Sequence, residues 1–451
     1  MPDDVLSRAQ CESIFGQVAD ASRARGVGDV EVIIAGEDQA LTRFANNAIH
    51  QNVAERSVYL SVRPVIDGRT ARASTNRLDH QGIREVVEAS IAITRLTEPD
   101  PELLPLASAS EAGAVRRFYQ VTANATPHER ARAVAEAIGA VEEKGQTAAG
   151  IYSTGGAMFS LMNTAGVAAW HHETMARFSI TAMAADSSGW AKASNCRHAD
   201  LDPAGLARTA ATKAEVSRAP LVALPGRYTV VLEPAAVLDL VGQMFGDFSA
   251  TAIRDGRSFL NDRIGKRIFG ENVTIQDDVC DPLQSGAPFD GEGVPRRPLT
   301  LVDRGVVRDI AYSRQSAAIA GVPPTGHGFP LPNEIGEAPA NIVIAGGDTS
   351  VEEMVRSTGR GILVTRLWYI REVDPYQKIF TGMTRDGTFL IEGGEVSRGV
   401  RNFRFNVSLI ELLSNVEALS APVRASGEES ADMVVPAMKV RGFNFTEVTR
   451  F

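Results

Sequence analysis

The stretch 166-GVAAWHHETMARFSI-180 sets two histidines directly against a glutamate, and whether it coils or extends decides how this part of the chain folds. On a helix, His-Glu-x-x-His places two imidazoles one turn apart, where they hold zinc with the glutamate as base. That spacing fails here. The second histidine belongs at 176 or 177, and those positions are Ala176 and Arg177. Just before lies 163-NTAG-166, turn chemistry between two alternating segments, so the pattern predicts the second arm of a β-hairpin. Successive side chains of a strand point to opposite faces, which keeps His172 and Glu173 from converging on one ion. The expectation is a strand with one polar face made by His171, Glu173 and Arg177. The other such pair, His128-Glu129, opens a predicted helix, but Arg132 and Ala133 stand where the second histidine is needed. Glu129 there fits the positive end of the helix dipole.

Working outward, residues 5–26 have apolar residues at helical spacing, and strand signals follow at 30–36, 39–52 and 57–75. The last contains Asp67-Gly68, the favoured two-residue hairpin turn. Asp79 reads as the N-cap of a helix through 83–95. Three prolines in 97-TEPDPELLPLASASEAG-113 mark a boundary, and 219-APLVALPG-226 marks a second. Between them lie helices near 128–145 and 203–219. Beyond 226, short strands and Gly/Pro turns dominate, with one helix over 233–248 whose face is Val237, Leu240, Val241, Met244 and Phe245. The fold class is therefore α+β. Strand-rich N-terminal modules with helices packed on sheets (1–98 and 114–219) precede a mainly antiparallel β C-terminal domain (226–451).

The totals exclude several functions. With 44% hydrophobic and 22% charged residues the 451-residue chain is of ordinary globular composition. Its net charge of −9 opposes a nucleic-acid surface. Cys11, Cys196 and Cys280 are too scattered for a disulfide framework and fit a reducing compartment. The N-terminus has no apolar signal-peptide core, and no run approaches the roughly 18 apolar residues of a membrane span. A cytoplasmic protein is expected. Only His327 of the seven histidines lies in the C-terminal half, and no carboxylate–histidine cluster has ligand spacing. No Gly-x-Ser-x-Gly elbow is present, and 345-AGGDTS-350 lacks the lysine of a phosphate loop.

Several blocks, in order, resemble the TldD/PmbA family: 43-RFANNAIHQN-52 and 67-DGRTARASTNRLD-79, then 256-GRSFLNDRIGKRI-268, 289-FDGEGVPRRPLTLVDRGVV-307, 360-RGILVT-365 and 381-TGMTRDGTFLIEGGEV-396. The resemblance implies a two-subunit zinc protease that cleaves unfolded peptides, in maturation or turnover. It also implies that a TldD-type subunit carries a His-Glu-x-x-x-His helix and a later cysteine ligand, and that a TldE (PmbA)-type subunit carries neither. The corresponding helix here, 233–248, has no histidine, and no cysteine follows Cys280. The chain thus looks like the TldE-type partner, with no catalytic or metal residue of its own. Zinc is expected in a TldD-like paralogue, and an unfolded peptide is the expected substrate. An independent homodimeric peptide-binding or scaffold protein is the alternative, and a hydrolase of unrecognised chemistry a third reading. The acids of 289-FDGEGVP-295 read as turn and cap chemistry, with Phe289, Asp290 and Glu292 as a candidate peptide-groove or interface loop. Arg385-Asp386-Gly387 reads as a turn.

Overall fold

The computed structural model describes residues 5–449. Its N-terminal half is one seven-stranded antiparallel sheet: β1 (Asp29–Ala45), β2 (Ala48–Ile66), β3 (Arg69–Thr70), β4 (Ala73–Thr75), β5 (Thr147–Asn163), β6 (Ala168–Met183) and β7 (Ser188–Asn195). The order is β3-β2-β1-β5-β6-β7, with β4 also on β2, so strands from the two sequence modules join edge to edge through the β1–β5 ladder. The sheet alternates, apart from a register shift between Arg43 and Phe44 on the β1–β2 ladder. Even-numbered residues such as Val32, Ile34 and Met158 face helices α1 (Arg8–Arg23) and α2 (His80–Leu96). Farther along, Phe44, Phe178 and Ile180 face α4 (Pro127–Glu142) and α5 (Pro203–Val216), the short α3 being Gln120–Ala123. Odd-numbered residues face the C-terminal half.

Local chemistry explains most of the boundaries. Asp79 caps α2 by accepting from the Gln81 and Gly82 amides. At the start of α4, Thr126 and Glu129 form a reciprocal capping box, so Glu129 acts by hydrogen bonding as well as by charge. Asp67 and Gly68 both take positive φ (48° and 72°), the two-residue hairpin turn expected. The 39–52 segment differs from its single-strand reading. Asn46 and Asn47 (φ 51° and 60°) reverse the chain between β1 and β2, asparagine being one of the few residues to tolerate that conformation.

The C-terminal half holds a six-stranded sheet and a seven-stranded one. In the latter, strands 360–374, 226–232, 438–448, 403–408 and 379–392 pair in that order, and the last pairs back to the first, closing a barrel. Phe403, Phe405, Phe443 and Phe445 fill it with ring centroids 4.6–5.5 Å apart. Arg385-Asp386-Gly387 is not a turn but a bulge within the 379–392 strand, where the register slips opposite Val364–Arg366 and Asp386 has φ 51°. The helix expected over 233–248 is α-helical only over Pro234–Val241 (α6), then tightens to a 3-10 segment through Asp247. Gly242 and Gly246, poor helix formers, sit in that segment. Its five expected apolar residues are all buried.

One ion cluster ties the halves together. Glu31 on β1 receives Arg63 Nε and Nη2 at 3.0 and 2.8 Å and Arg72 Nη2 at 2.5 Å, while Arg72 Nε donates to the Leu331 carbonyl of the C-terminal half. Burial pushes the Glu31 carboxyl up, but the two guanidinium groups outweigh it and hold it below the usual range. Glu31→Gln is expected to cost about 3–5 kcal/mol in urea unfolding, because two arginines stay buried without their counter-charge. Glu12→Gln, which loses only an exposed 2.9 Å contact with Arg8, is the control, with a change below about 1 kcal/mol.

Candidate functional site

Alternation along the hairpins builds the site. The register sets Tyr59, Ala35, Phe159 and His171 side by side across β2, β1, β5 and β6, and Ser57, Glu37, Ala157 and Glu173 in the next row. All eight are odd-numbered, so they form one floor facing the C-terminal half. Loops 286–291, 327–330 and 338–340, with Arg296, roof it, and the cleft between encloses about 730 Å³. That is the size of a small-ligand or short-peptide site. The polar face of the 166–180 strand is therefore an inner wall. Arg177, farther along it, reaches Asp432 of the C-terminal half at 3.3 Å. His172, on the opposite face, stacks on Phe118 at 4.3 Å.

The three candidate loop residues divide. Phe289 lines the cleft and stacks on Phe159 with centroids 5.7 Å apart. Asp290 also lines it, but its oxygens serve the loop: Oδ1 accepts from the Glu292 and Val294 amides, each at 2.9 Å, and Oδ2 from the Gly328 amide at 2.7 Å. Glu292 points away from the cleft. It accepts from the Arg314 amide at 2.8 Å and packs so tightly on Gly328 that a Cβ there would lie 2.3 Å from its Oε2. Burial, then the charge of Asp290, pushes its carboxyl up to about 7.

Several lining groups carry no functional role in the sequence reading, where Glu173 and His171 stand only as part of a polar strand face. Glu173 Oε2 accepts from the Gly286 amide at 2.6 Å and lies 3.7 Å from His171 Nε2. His327 is wholly buried, with Nδ1 3.0 Å from Thr325 Oγ1 and Nε2 3.1 Å from Asp277 Oδ1, off the line of a good hydrogen bond. Arg296 and Tyr59 were also missed. Odd-numbered parity across the two hairpins was the available signal for the floor; nothing local marked the roof.

Three domain models of one metallopeptidase family cover this floor of paired hairpins and the closed barrel whose loops lie over it. The C-terminal domain model of PmbA/TldA metallopeptidases matches residues 225–447, domain 1 matches 30–94 and the central domain matches 121–218. The chain belongs to the PmbA/TldD family. It is 24% identical to the metalloprotease PmbA of Escherichia coli O157:H7 over 83% of each chain. A metalloprotease of Methanothermobacter thermautotrophicus is 27% identical, but the match spans only 44% of either chain. The chain thus spans less than half the length of that relative. TldE of Thermococcus kodakarensis superposes with a TM-score of 0.86 at 19% identity, covering 96% of this chain and all of that one, a likeness of fold.

A zinc ion implied by the family does not fit the residues of α6. Its one carboxylate, Asp239, is buried, with Oδ1 accepting from the Glu428 and Glu429 amides at 2.9 Å each. Gln243 Nε2 donates to the Asp239 carbonyl, the Glu429 carbonyl and Ser430 Oγ, so the 427–430 loop lies across this helix. No imidazole stands on α6, and among the described residues no group of three or more His, Cys, Asp or Glu is placed to hold a metal.

The titration of Glu292 gives a test of the loop. A carboxyl raised on folding contributes stability that is full below its unfolded value, 4.5, and lost as pH climbs through about 7. Over that window wild type loses of order 3 kcal/mol through this group. Urea unfolding at several pH values should find that part of the slope gone in Glu292→Gln. An unchanged slope would place the titration elsewhere.

Proposed function

We propose that this chain is the non-catalytic, TldE-type subunit of a two-subunit zinc peptidase that cleaves unfolded peptides, its partner a TldD-like paralogue bearing the metal. The observation that carries the reading is α6. Where a metal-binding helix would present imidazoles, this one presents a carboxylate bonded to the 427–430 loop. Activation of water for peptide hydrolysis draws on a metal or a well-placed base, and that task falls to the partner. This chain contributes a wall of the peptide chamber. The cleft supports that role, as does the outer edge of β2: among the described residues its 48–59 stretch has no strand partner beyond β1, β4 joining only at Leu60–Val62. An extended peptide can add to such an edge with little demand on its sequence. Cytoplasmic residence goes with this reading. Cys11, Cys196 and Cys280 are all free thiols, and no described helix is long and apolar enough to cross a membrane.

The test mixes separately purified chains with an unstructured peptide and follows cleavage by mass spectrometry, with and without chelator. The expected outcome is no cleavage by this chain alone, cleavage by the pair, and loss with chelator. Metal analysis of this chain alone should find no stoichiometric zinc. Chelator-resistant cleavage by this chain alone would sink the proposal. Full activity of the partner without it would favour the independent binding protein.

A further inference from the structure

One cation of the cleft wall has no hydrogen-bond partner among the described residues. Among the described residues the Arg296 side chain forms no hydrogen bond and no ion pair, and its Nη1 is shut off from solvent without a partner. Losing such a hydrogen bond inside a protein is costly, so an unpaired guanidinium on a cleft wall needs a reason. The two carboxylates that feel its charge, Asp277 and Asp290, do not take it up. Asp277 Oδ2 is occupied by the Ala340 and Asn341 amides at 2.5 and 2.8 Å, and its Oδ1 faces His327. Asp290 holds three loop amides. Those acids offset the cost of the part-buried cation and leave Nε and Nη2, the edge not shut off from solvent, free to donate.

We propose that Arg296 anchors a carboxylate carried by an extended peptide lying in the cleft. This rests on the peptide-holding part of the function proposed above, but on neither the partner nor proteolysis. A guanidinium matches a carboxylate with two parallel hydrogen bonds. Phosphate would fit the fork as well, but Glu37, Glu173 and Asp290 share the lining, and a dianion meets more repulsion there than a carboxylate does. The rest of the wall suits a peptide. Tyr59 from the floor and Phe329 from the roof remain 46% and 37% exposed, free to take an apolar side chain beside the carboxylate. His171 Nε2 is no part of this anchor, being shut off from solvent 3.7 Å from Glu173 Oε2. The carboxylate is either the peptide's C-terminus or an acidic side chain.

The experiment uses this chain alone and fluorescence anisotropy with three dye-labelled Gly/Ser peptides ending in phenylalanine: a free acid, a C-terminal amide, and an amide with one internal glutamate. Wild type is expected to bind the free acid, the glutamate amide, or both at least about tenfold more tightly than the plain amide. Arg296→Ala should bring all three to the affinity of the plain amide, and Arg296→Lys should fall between. Which acid-bearing probe gains identifies the source of the carboxylate. Equal binding of all three by wild type, no binding of any, or a preference that survives Arg296→Ala would overturn the proposal. If Arg296→Ala melts early, Arg296→Gln and Arg296→Lys decide by the same ratios. The mixed-chain cleavage assay judges the subunit role separately, so either can fail alone.

Discussion

The β1–β5 ladder runs from the Glu31–Asn163 pair to Phe44–Gly150 and joins segments more than a hundred residues apart in sequence. Once it forms, parity is set across the whole N-terminal sheet, because each hairpin on either side inherits its register. A slip of one residue would turn Val32 and Ile34 away from α1 and α2 and swing Tyr59, Phe159 and His171 out of the cleft. Helix packing on one face and the cleft on the other are thus consequences of the same pairing. Glu31 stands at the end of this ladder, and through Arg72 it is linked to the Leu331 carbonyl of the C-terminal half.

Where a local rule sufficed, the sequence was a good guide. Asp67-Gly68, the Asp79 cap and the extended state of 166–180 all depend on a few neighbouring residues, and all are as expected. The departures have long-range or conformational causes. Asn46-Asn47 was passed over because β-type residues continue on both sides of it. Asp386 has a turn-like φ, yet its carboxylate is held by Arg366 and by Ser188 of the N-terminal half, so neighbours on the barrel keep the segment in the strand. The candidate site was half legible. Phe289 and Asp290 were found from the loop's composition, but their position over β5 and β6 depends on how the halves dock. Arg296 has no local mark, since only the absence of a partner distinguishes it from any other arginine.

Around α6, backbone amides meet one oxygen of the buried Asp239 carboxylate, and the other, Oδ2, has no hydrogen-bond partner among the described residues. Burial drives the Asp239 carboxyl up to about 6 although two backbone amides stabilise its charge. A loop that brings amides to this carboxylate is an economical way to close a polar site, because backbone donors carry no charge of their own to desolvate. Gly427 permits that approach: a Cβ there would lie 2.0 Å from Asp239 Oδ1. The loop is also tied to the N-terminal half, Lys192 Nζ donating to the Gly427 carbonyl at 2.5 Å and to Glu428 at 3.1 Å. The helix, which carries no histidine, is joined through this loop to the N-terminal half.

The cleft's roof is built for rigidity rather than closure. A Cβ on Gly291 would meet Pro330 nitrogen at 2.4 Å, so the 289–295 and 326–330 loops touch backbone to backbone. Three amides converge on Asp290, and Glu292 wedges against Gly328 from behind. Loops held this way lose little freedom when a ligand enters, which spares the ordering cost that weakens binding at flexible sites. The floor is equally fixed, being the middle of a sheet. A peptide in the cleft would therefore bear most of the conformational entropy cost itself. On the function proposed, such a preformed wall would suit unfolded segments of varied sequence, since most of what it offers, apolar area and one guanidinium, makes little demand on any particular side chain.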